Sequence, residues 1–259
     1  MSFSAEKIQE KLMVPGCRVF VFDEVTSTND VAGEMARNGA PGWSVILSES
    51  QTSGRGRKGR SFFSPGGSGL YMSIILKPSG TVPESLRVTT AAAVAVAGTL
   101  EKVFGREARI KWVNDIFVNG KKVCGILAES VLNPDGSVEY IVLGIGVNLF
   151  APDKGFPEDI SGIAGAVCNA DDNRDGIRET FAAELLNNLS VYLSPEKEQL
   201  CFEEYRRRCL TLGRKGIAIS GNSERNVDIL SLNSDYSLNV RYQGGEEGTL
   251  FSGEVSVRV

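Results

Sequence analysis

Apolar and polar residues alternate along three consecutive stretches in the middle of the chain, and this period of two predicts three antiparallel β-strands. The stretches cover residues 109–118, 121–130 and 137–150. Asn119-Gly120 separates the first two, and Asn-Gly between apolar runs is the strongest short hairpin signal. An Asn-Pro-Asp-Gly turn at 133–136 separates the second and third, so the pattern predicts a three-stranded ribbon.

The Asn119-Gly120 turn also predicts the register of the first hairpin. If these two residues are the whole turn, the cross-strand pairs are Val118 with Lys121, Phe117 with Lys122, and Asp115 with Cys124. Alternation along each strand then places Lys111, Asp115 and Lys122 on one face. We therefore expect two cations and a carboxylate to share one surface of the ribbon.

One face of the third stretch consists of Gly144, Gly146 and Asn148, while its apolar residues point to the other face. A strand face of two glycines and an amide leaves room for a ligand to lie against the backbone. A β-bulge or a closely packed helix would use the same glycines. The sequence leaves these alternatives open.

The rest of the pattern predicts helices and further strands around the ribbon. We expect helices at residues 5–13, 29–38, 85–104, 174–193 and 195–209, and strands at 19–22, 43–49 and 70–76. Ser27 or Thr28 is a good N-cap for the second helix. After about residue 210 five short alternating segments predict a small five-stranded barrel. The expected domains are therefore 1–209 and 210–259.

The basic loop, residues 54–60, has the sequence Gly-Arg-Gly-Arg-Lys-Gly-Arg. Its glycines allow close backbone approach, and its four cations create a field that an anionic ligand such as a phosphate would offset. The loop also matches the dinucleotide fingerprint G-x-G-x-x-G, which requires a helix opening at the third glycine. Because Pro65-Gly66-Gly67 follows, that helix is disfavoured, and a solvated surface loop is the alternative.

Composition narrows the chemistry further. The chain of 259 residues has a net charge of -4, so the basic loop is a local exception rather than part of a nucleic-acid-binding face. The absence of histidine excludes Ser-His-Asp, Cys-His and histidine–metal sites. Five scattered cysteines without a C-x-x-C pair indicate neither disulfides nor zinc. No apolar stretch resembles a membrane span or signal peptide, so we expect a cytoplasmic protein without membrane or nucleic-acid partners.

Five segments form an ordered set between residues 27 and 148. They are Ser27-Thr28-Asn29, Gln51 with the basic loop, Lys111-Trp112-Val113-Asn114-Asp115, Lys122-Val123-Cys124-Gly125-Ile126-Leu127, and Gly144-Ile145-Gly146-Val147-Asn148. Any one of them is weak evidence, but together, in this order and spacing, they resemble the biotin-protein ligase family. The C-terminal segment Phe251-Ser252-Gly253-Glu254-Val255 fits this resemblance as well.

The resemblance implies an α+β fold. Its first part would be a mixed, mostly antiparallel sheet with helices, like that of class II aminoacyl-tRNA synthetases, and its second part a small SH3-like β-barrel. It also implies a two-step reaction that uses ATP, biotin and Mg²⁺. Biotin's carboxylate attacks the α-phosphate of ATP to give biotinyl-5'-AMP, and a lysine of a biotin carboxyl carrier protein then attacks this anhydride.

The family resemblance also bears on regulation and assembly. Many family members carry an N-terminal DNA-binding domain that represses transcription. Here only a short segment precedes the first predicted strand, so we expect an enzyme that is not a repressor. A homodimer is left open.

The resemblance suggests a role for each site residue. The catalytic residues would be Lys122 at the activated carboxylate, Arg57 over the phosphates, Lys111, and Asp115, which would orient Lys122 or accept the carrier lysine's proton. The basic loop would act as a lid that protects the reactive anhydride from water. The full binding set is Ser27, Thr28, Asn29, Gln51, Gly54, Arg55, Gly56, Arg57, Arg60, Lys111, Asn114, Lys122, Gly125, Gly144, Gly146 and Asn148.

Within that set, the resemblance divides the substrates among groups of residues. Ser27, Thr28 and Gln51 would line the biotin headgroup, with Arg55 and Gly56 along its ureido and valerate side. The phosphates would lie under Arg57 and Arg60. The ribose, adenine or magnesium would lie near Asn114 and Asn148.

Two rival functions belong to different classes. A lipoate or octanoate ligase shares the reaction type and general fold but is expected to lack the complete Gly-Arg-Gly-Arg-x-Gly-Arg loop. A nucleic-acid-binding module would use the basic loop and the barrel, but the barrel's mixed charges form no basic stripe.

Overall fold

The computed structural model describes residues 3–77, 84–169, 172, 175–221, 223–252 and 256–258. Two sequence-based expectations reach beyond these ranges: Arg174 at the start of a predicted helix, and Gly253-Glu254-Val255 in the C-terminal motif. Within the described residues the chain forms two β-sheets and six α-helices.

Seven strands build the larger sheet: β1 Arg18–Val25, β2 Ser44–Gln51, β3 Gly69–Leu76, β4 Arg109–Lys111, β5 Asp115–Val118, β6 Lys121–Leu132 and β7 Val138–Asn148. Their order is β1-β2-β3-β7-β6-β5-β4. Strands β1 and β2 run parallel, and every other neighbouring pair is antiparallel. The expected mixed, mostly antiparallel α+β fold is therefore confirmed, while the likeness to class II synthetases stays a prediction.

Six helices accompany the sheets: α1 Ala5–Gln9, α2 Thr28–Arg37, α3 Glu84–Phe104, α4 Glu158–Ser161, α5 Ile177–Leu193 and α6 Glu198–Arg208. Helix α3 packs on one face of the large sheet and α2 on the other, where Ala32 and Ala36 meet Ile46 and Val142. The alanine-rich side of α3 is fully buried, because small side chains let a helix lie close to a sheet. No helix of the described ranges has the length and apolar character needed to cross a lipid bilayer.

Helices α3 and α6 are joined by a paired carboxylate and guanidinium. Arg208 donates to both carboxylate oxygens of Glu101, at 2.7 Å on the Oε2 side. These charged hydrogen bonds lower the pKa of Glu101 below its usual value. The pair fixes the helix that leads into the C-terminal part of the chain.

Several predicted boundaries differ from the structure. Helix α1 ends at Gln9 instead of residue 13, and the short helix α4 was not predicted. The stretch 109–118 is not one strand, because residues 112–114 form a turn between β4 and β5. Distant groups hold this turn: Tyr205 donates to Val113 O at 3.2 Å, and Trp112 N donates to Thr211 Oγ1 at 3.0 Å.

The predicted register of the β5–β6 hairpin is right near the turn and wrong beyond it. Val118 lies opposite Lys121, and Phe117 lies opposite Lys122. A shift in register follows, so Asp115 lies opposite Gly125 and not Cys124. An extra residue on one strand is a β-bulge, which turn-based counting does not foresee.

The smaller sheet has five antiparallel strands: β8 Lys215–Ser220, β9 Ser223–Leu232, β10 Leu238–Tyr242, β11 Glu247–Leu250 and β12 Ser256–Arg258. Their order is β11-β10-β9-β8-β12. The five-stranded C-terminal unit is as predicted, and its closure into an SH3-like barrel stays a prediction. It touches the larger sheet through Trp112, whose Nε1 donates to Tyr236 O at 2.8 Å.

Candidate functional site

A cavity of about 180 Å³ lies between the basic loop, the start of α2 and the glycine face of β7. It brings together segments that are far apart in sequence. The sequence-predicted residues that line it are Ser27, Thr28, Asn29, Gln51, Arg55, Gly56, Arg57, Arg60, Lys111, Asn114, Asp115, Lys122, Gly125, Gly144 and Gly146.

Two predicted binding residues, Gly54 and Asn148, are not among the lining residues. Gly54 stands at the base of the basic loop, where a Cβ would lie 2.3 Å from Phe62 O, so only glycine fits this close approach. Asn148 Nδ2 donates to Gly165 O at 3.2 Å. Both residues therefore fix neighbouring backbone segments.

One end of the cavity is a polar wall, formed by Ser27, Thr28, Asn29 and Gln51. Ser27 is the N-cap of α2, and its Oγ accepts from Asn29 N at 3.3 Å, as predicted. Thr28 donates to Gln51 Oε1 from its amide at 2.9 Å and from its hydroxyl at 3.2 Å. These bonds fix the carbonyl end of Gln51 toward α2. The wall is thus a set of oriented hydrogen-bonding groups suited to a small polar molecule.

The glycine face of β7 is occupied by side chains of the protein itself. A Cβ on Gly144 would lie 2.2 Å from Asn29 Oδ1, and one on Gly146 would lie 2.6 Å from the Phe62 ring. Both glycines nevertheless line the cavity, so their role in ligand binding stays a prediction. Their missing side chains make room for Asn29 and Phe62, and the cavity lies beside these two groups.

The cation–carboxylate face predicted for the ribbon is present. Lys122 Nζ lies 2.7 Å from Asp115 Oδ1, with about 30% and 24% of the two side chains exposed. Lys111 lies directly opposite Asp115 in the β4–β5 pair. Asn114 Nδ2 also donates to Asp115 Oδ1 at 3.1 Å. Asp115 is therefore held between two donors and is set to orient the Lys122 ammonium.

The backbone of Lys122 is fixed from outside the ribbon. Its amide donates to Ile163 O at 2.8 Å, and its carbonyl accepts from Gly165 N at 2.9 Å. The neighbouring Lys121 side chain turns away and donates to Gly162 O at 2.7 Å. Two adjacent lysines thus have different environments, and Lys122 is the one that reaches the cavity.

The basic loop is folded as a small hairpin. Gly56 N donates to Arg60 O at 2.7 Å, and Phe62 N donates to Gly54 O at 2.8 Å. Near the loop's tip, Arg57 donates to Asn114 Oδ1 at 3.0 Å and to Ser252 O at 2.6 Å. Burial lowers the pKa of Arg57, and the charge of Asp115 opposes this change. An arginine stays protonated even so, and Arg57 is a cation held over the cavity.

Sequence reasoning missed several groups around the cavity. The lining residues outside the predicted set are Lys58, Ser61, Phe62, Tyr71, Met72, Trp112, Ile126, Leu127 and Ile145. Glu129 was also missed, although it lies on the same face of β6 as Gly125 and Leu127 by strand alternation. Strand alternation could therefore have identified Glu129 from the sequence.

The cysteines and carboxylates of the described ranges do not form a metal centre. Within those ranges no group of three or more His, Cys, Asp or Glu side chains could hold a metal ion. All five cysteines are free and buried. Cys124 lies two residues after Lys122 and is not among the lining residues. Burial raises its pKa far above that of a reactive thiol.

Comparison with known proteins gives a consistent result. Residues 21–148 match the model of the family described as "Biotin/lipoate A/B protein ligase family". The Bacillus subtilis "Bifunctional ligase/repressor BirA" is 34% identical over 203 residues, covering 78% of this chain and 58% of that protein. The chain thus spans less than two thirds of the length of this relative.

Two further matches cover more of the other protein. The Paracoccus denitrificans "Biotin--[acetyl-CoA-carboxylase] ligase" is 36% identical over 166 residues, covering 60% of this chain and 68% of that protein. Among solved structures, the "Biotin protein ligase from Aquifex aeolicus in complex with biotin and ATP" has a TM-score of 0.76 and 25% identity, covering 93% of this chain and 98% of that chain.

Proposed function

We propose that this chain, which belongs to the biotin/lipoate A/B protein ligase family, is a biotin protein ligase. It would join biotin to AMP and then transfer biotin to one lysine of a biotin carboxyl carrier domain. The observation that carries this proposal is the cavity itself, which is lined both by a neutral polar wall and by a group of cations that includes Lys122. The similarity to biotin protein ligases supports it.

The first step in this proposal is the attack of a biotin carboxylate oxygen on the α-phosphorus of ATP. A new P–O bond forms, the bond to the β-phosphate oxygen breaks, and pyrophosphate leaves with the electron pair. Two anions must approach each other, so preorganised cations are needed to offset their repulsion. Lys122 would bind the carboxylate and the α-phosphate, while Arg57 and Lys111 would stabilise charge on the departing pyrophosphate.

In the second step, the neutral ε-amine of the carrier lysine would attack the carbonyl carbon of the mixed anhydride. A C–N bond forms, the C–O bond to the phosphate breaks, AMP leaves with the electron pair, and the proton lost by the amine passes to solvent. Of the two roles considered for Asp115, we assign it the orienting one. Its Oδ1 already accepts from Lys122 and Asn114, which leaves this oxygen poorly placed to take a proton. The ammonium of Lys122 has three donors, so one bond to Asp115 leaves two for substrate.

The polar wall would receive the biotin headgroup, whose ureido group carries both donors and an acceptor. Thr28 and Gln51 are aligned for such a group by their mutual hydrogen bonds. Arg55 and Gly56 would border the valerate chain, and Arg60 and Asn114 would contact the nucleotide. For Asn148 and Gly54 we propose a supporting role, since neither lines the cavity.

Mg²⁺ fits this site as the ion that ATP brings with it. Mg²⁺ is usually held by one or two carboxylates, substrate phosphates and waters rather than by a protein cage. Asp115, whose carboxylate lines the cavity, and the neighbouring Asn114 would hold it. When bound, the ion would neutralise phosphate charge.

ATP–pyrophosphate exchange, measured with biotin, lipoate and octanoate in parallel, tests the proposal. We expect exchange that depends on biotin and magnesium, and carrier labelling in a second assay. Robust exchange with lipoate or octanoate and none with biotin would overturn the substrate assignment, because the family model covers lipoate enzymes too. No exchange with any of the three acids would overturn the adenylation mechanism.

A further inference from the structure

Glu129 lies on β6 beyond the residues that line the cavity, yet it touches both sides of the site. Its Oε1 accepts from Arg55 Nη2 of the basic loop at 2.5 Å. Its Oε2 accepts from Nδ2 of Asn29, in the polar wall, at 2.8 Å. One carboxylate therefore joins the loop to the wall.

The contact to Asn29 determines how that amide is oriented. Asn29 is buried, and its Oδ1 accepts from the Ser73 hydroxyl at 2.6 Å. Both ends of the amide are therefore hydrogen-bonded, Nδ2 to Glu129 and Oδ1 to Ser73. The absent side chain of Gly144 leaves the space that this arrangement needs.

A carboxylate suits this position better than an amide would. Arg55 and the Asn29 Nδ2 are both donors, and an ionised carboxylate has two acceptor oxygens and no proton. Glutamine has one acceptor oxygen and an NH₂ group, so it could accept from only one of the two partners. A carboxylate therefore matches this pair of donors better than an amide does.

We propose that Glu129 is a positioning residue that holds the basic loop against the polar wall and orients Asn29 for substrate binding. The effect that we expect on biotin binding rests on the proposed function. Its structural part, the attachment of the loop, does not depend on the substrate. Glu129 acts through Arg55 and Asn29.

Arg55 has a second carboxylate partner that provides a matched comparison. Asp30 Oδ1 accepts from Arg55 Nη1 at 2.7 Å, with 47% of its side chain exposed. Asp30 is not hydrogen-bonded to the polar wall in the way that Glu129 is. Exposed ion pairs contribute little on their own. If both carboxylates were ordinary surface partners of Arg55, replacing either one should have a weak effect of the same size. The positioning role predicts unequal effects.

The test compares Glu129→Gln with Asp30→Asn and with Glu139→Gln, an exposed glutamate on the adjacent strand β7. Hydrogen–deuterium exchange of residues 54–62, without substrates, reports on the loop through the Gly56 and Phe62 amides that close its hairpin. Steady-state pyrophosphate exchange gives KM for biotin and kcat separately. Thermal melting checks the fold, which the isosteric change at a partly exposed side chain should preserve.

We expect Glu129→Gln to speed exchange of the loop amides several-fold and to raise KM for biotin about tenfold, which is about 1.4 kcal/mol. The kcat should stay within about twofold, because the reacting groups are untouched. Asp30→Asn should give a clearly smaller change in both readouts, and Glu139→Gln none.

Equal changes in Glu129→Gln and Asp30→Asn would overturn the proposal, since they would reduce Glu129 to one of two surface partners. Unchanged loop exchange or an unchanged KM in Glu129→Gln would also overturn it, as would a loss confined to kcat. If the wild type shows no biotin-dependent exchange, the proposed function fails. The loop measurement then still decides whether Glu129 holds the loop.

Discussion

Replacing Lys122 with glutamine is the most direct test of the adenylation mechanism. The change keeps a hydrogen-bond donor on a side chain that is one atom shorter, and it removes the positive charge. Lys122 Nζ lies 2.7 Å from Asp115 Oδ1, so the substitution also leaves that carboxylate without its cation in the cavity. Two anionic substrates would then approach a site with one less cation and one exposed anion.

The size of the effect follows from these charges. Two unit charges at about 4 Å attract by about 4 kcal/mol at the effective dielectric constant near a protein surface. Lys111 and Arg57 remain and offset part of the loss, so we expect a cost of about 3 kcal/mol in the transition state. That is a decrease of roughly a hundredfold in the rate of biotinyl-AMP formation. The pair is partly exposed, so the fold should lose about 1 kcal/mol at most.

The assay is rapid-quench measurement of biotinyl-AMP formation under single-turnover conditions. Lys121→Gln is the matched control, because the adjacent Lys121 donates to Gly162 O and does not line the cavity. Adding Asp115→Asn to Lys122→Gln should restore about tenfold of the rate, since it removes the unpaired carboxylate. A folded Lys122→Gln protein with near-normal adenylation would refute the assignment of Lys122 to the reacting carboxylate.

Three other predictions address the fold and the loop. Gly146→Ala should destabilise the protein by about 1–3 kcal/mol in thermal melting, because the new Cβ would meet the Phe62 ring. Gly98→Ala is the control, since no atom lies within 4 Å of its new Cβ, and it should be neutral or stabilising. Arg57→Gly should still form the adenylate but release it, so an unrelated protein added to the assay becomes biotinylated; strict carrier selectivity would contradict this. Glu101→Gln should make the fall of Tm with acid shallower. The pKa of Glu101 is lower in the folded protein than its unfolded value of about 4.5, so the ionised carboxylate stabilises the fold above that pH. This stability is lost as the pH falls through the folded pKa.

The β5–β6 hairpin shows which features of the fold a few neighbouring residues determine. Asn119 and Gly120 both have positive φ, at 51° and 75°, as the Asn-Gly signal requires, and the pairs next to the turn are those predicted. The bulge beyond them has no local signal in the sequence. It lies between the Phe117–Lys122 and Ile116–Cys124 pairs, and counting from the turn cannot reveal it.

The shared face of Lys111 and Asp115 was predicted correctly for a reason that was partly wrong. Alternation along one continuous strand places them on the same side, but the chain turns back at 112–114 and pairs them directly. The turn has no glycine or proline to announce it. A hydrogen bond donated by Tyr205 and one accepted by Thr211 hold it, and these partners lie far along the chain.

The C-terminal part of the chain therefore contributes to the geometry of the cavity through backbone groups. Tyr236 O binds the indole of Trp112, which lines the cavity, and Ser252 O binds Arg57 of the basic loop. Both acceptors are backbone carbonyls, so their effect depends on where the chain lies and not on which side chain it carries. Sequence motifs identify the groups that would meet the substrates, whereas backbone positions supplied by remote segments determine the direction in which those groups point.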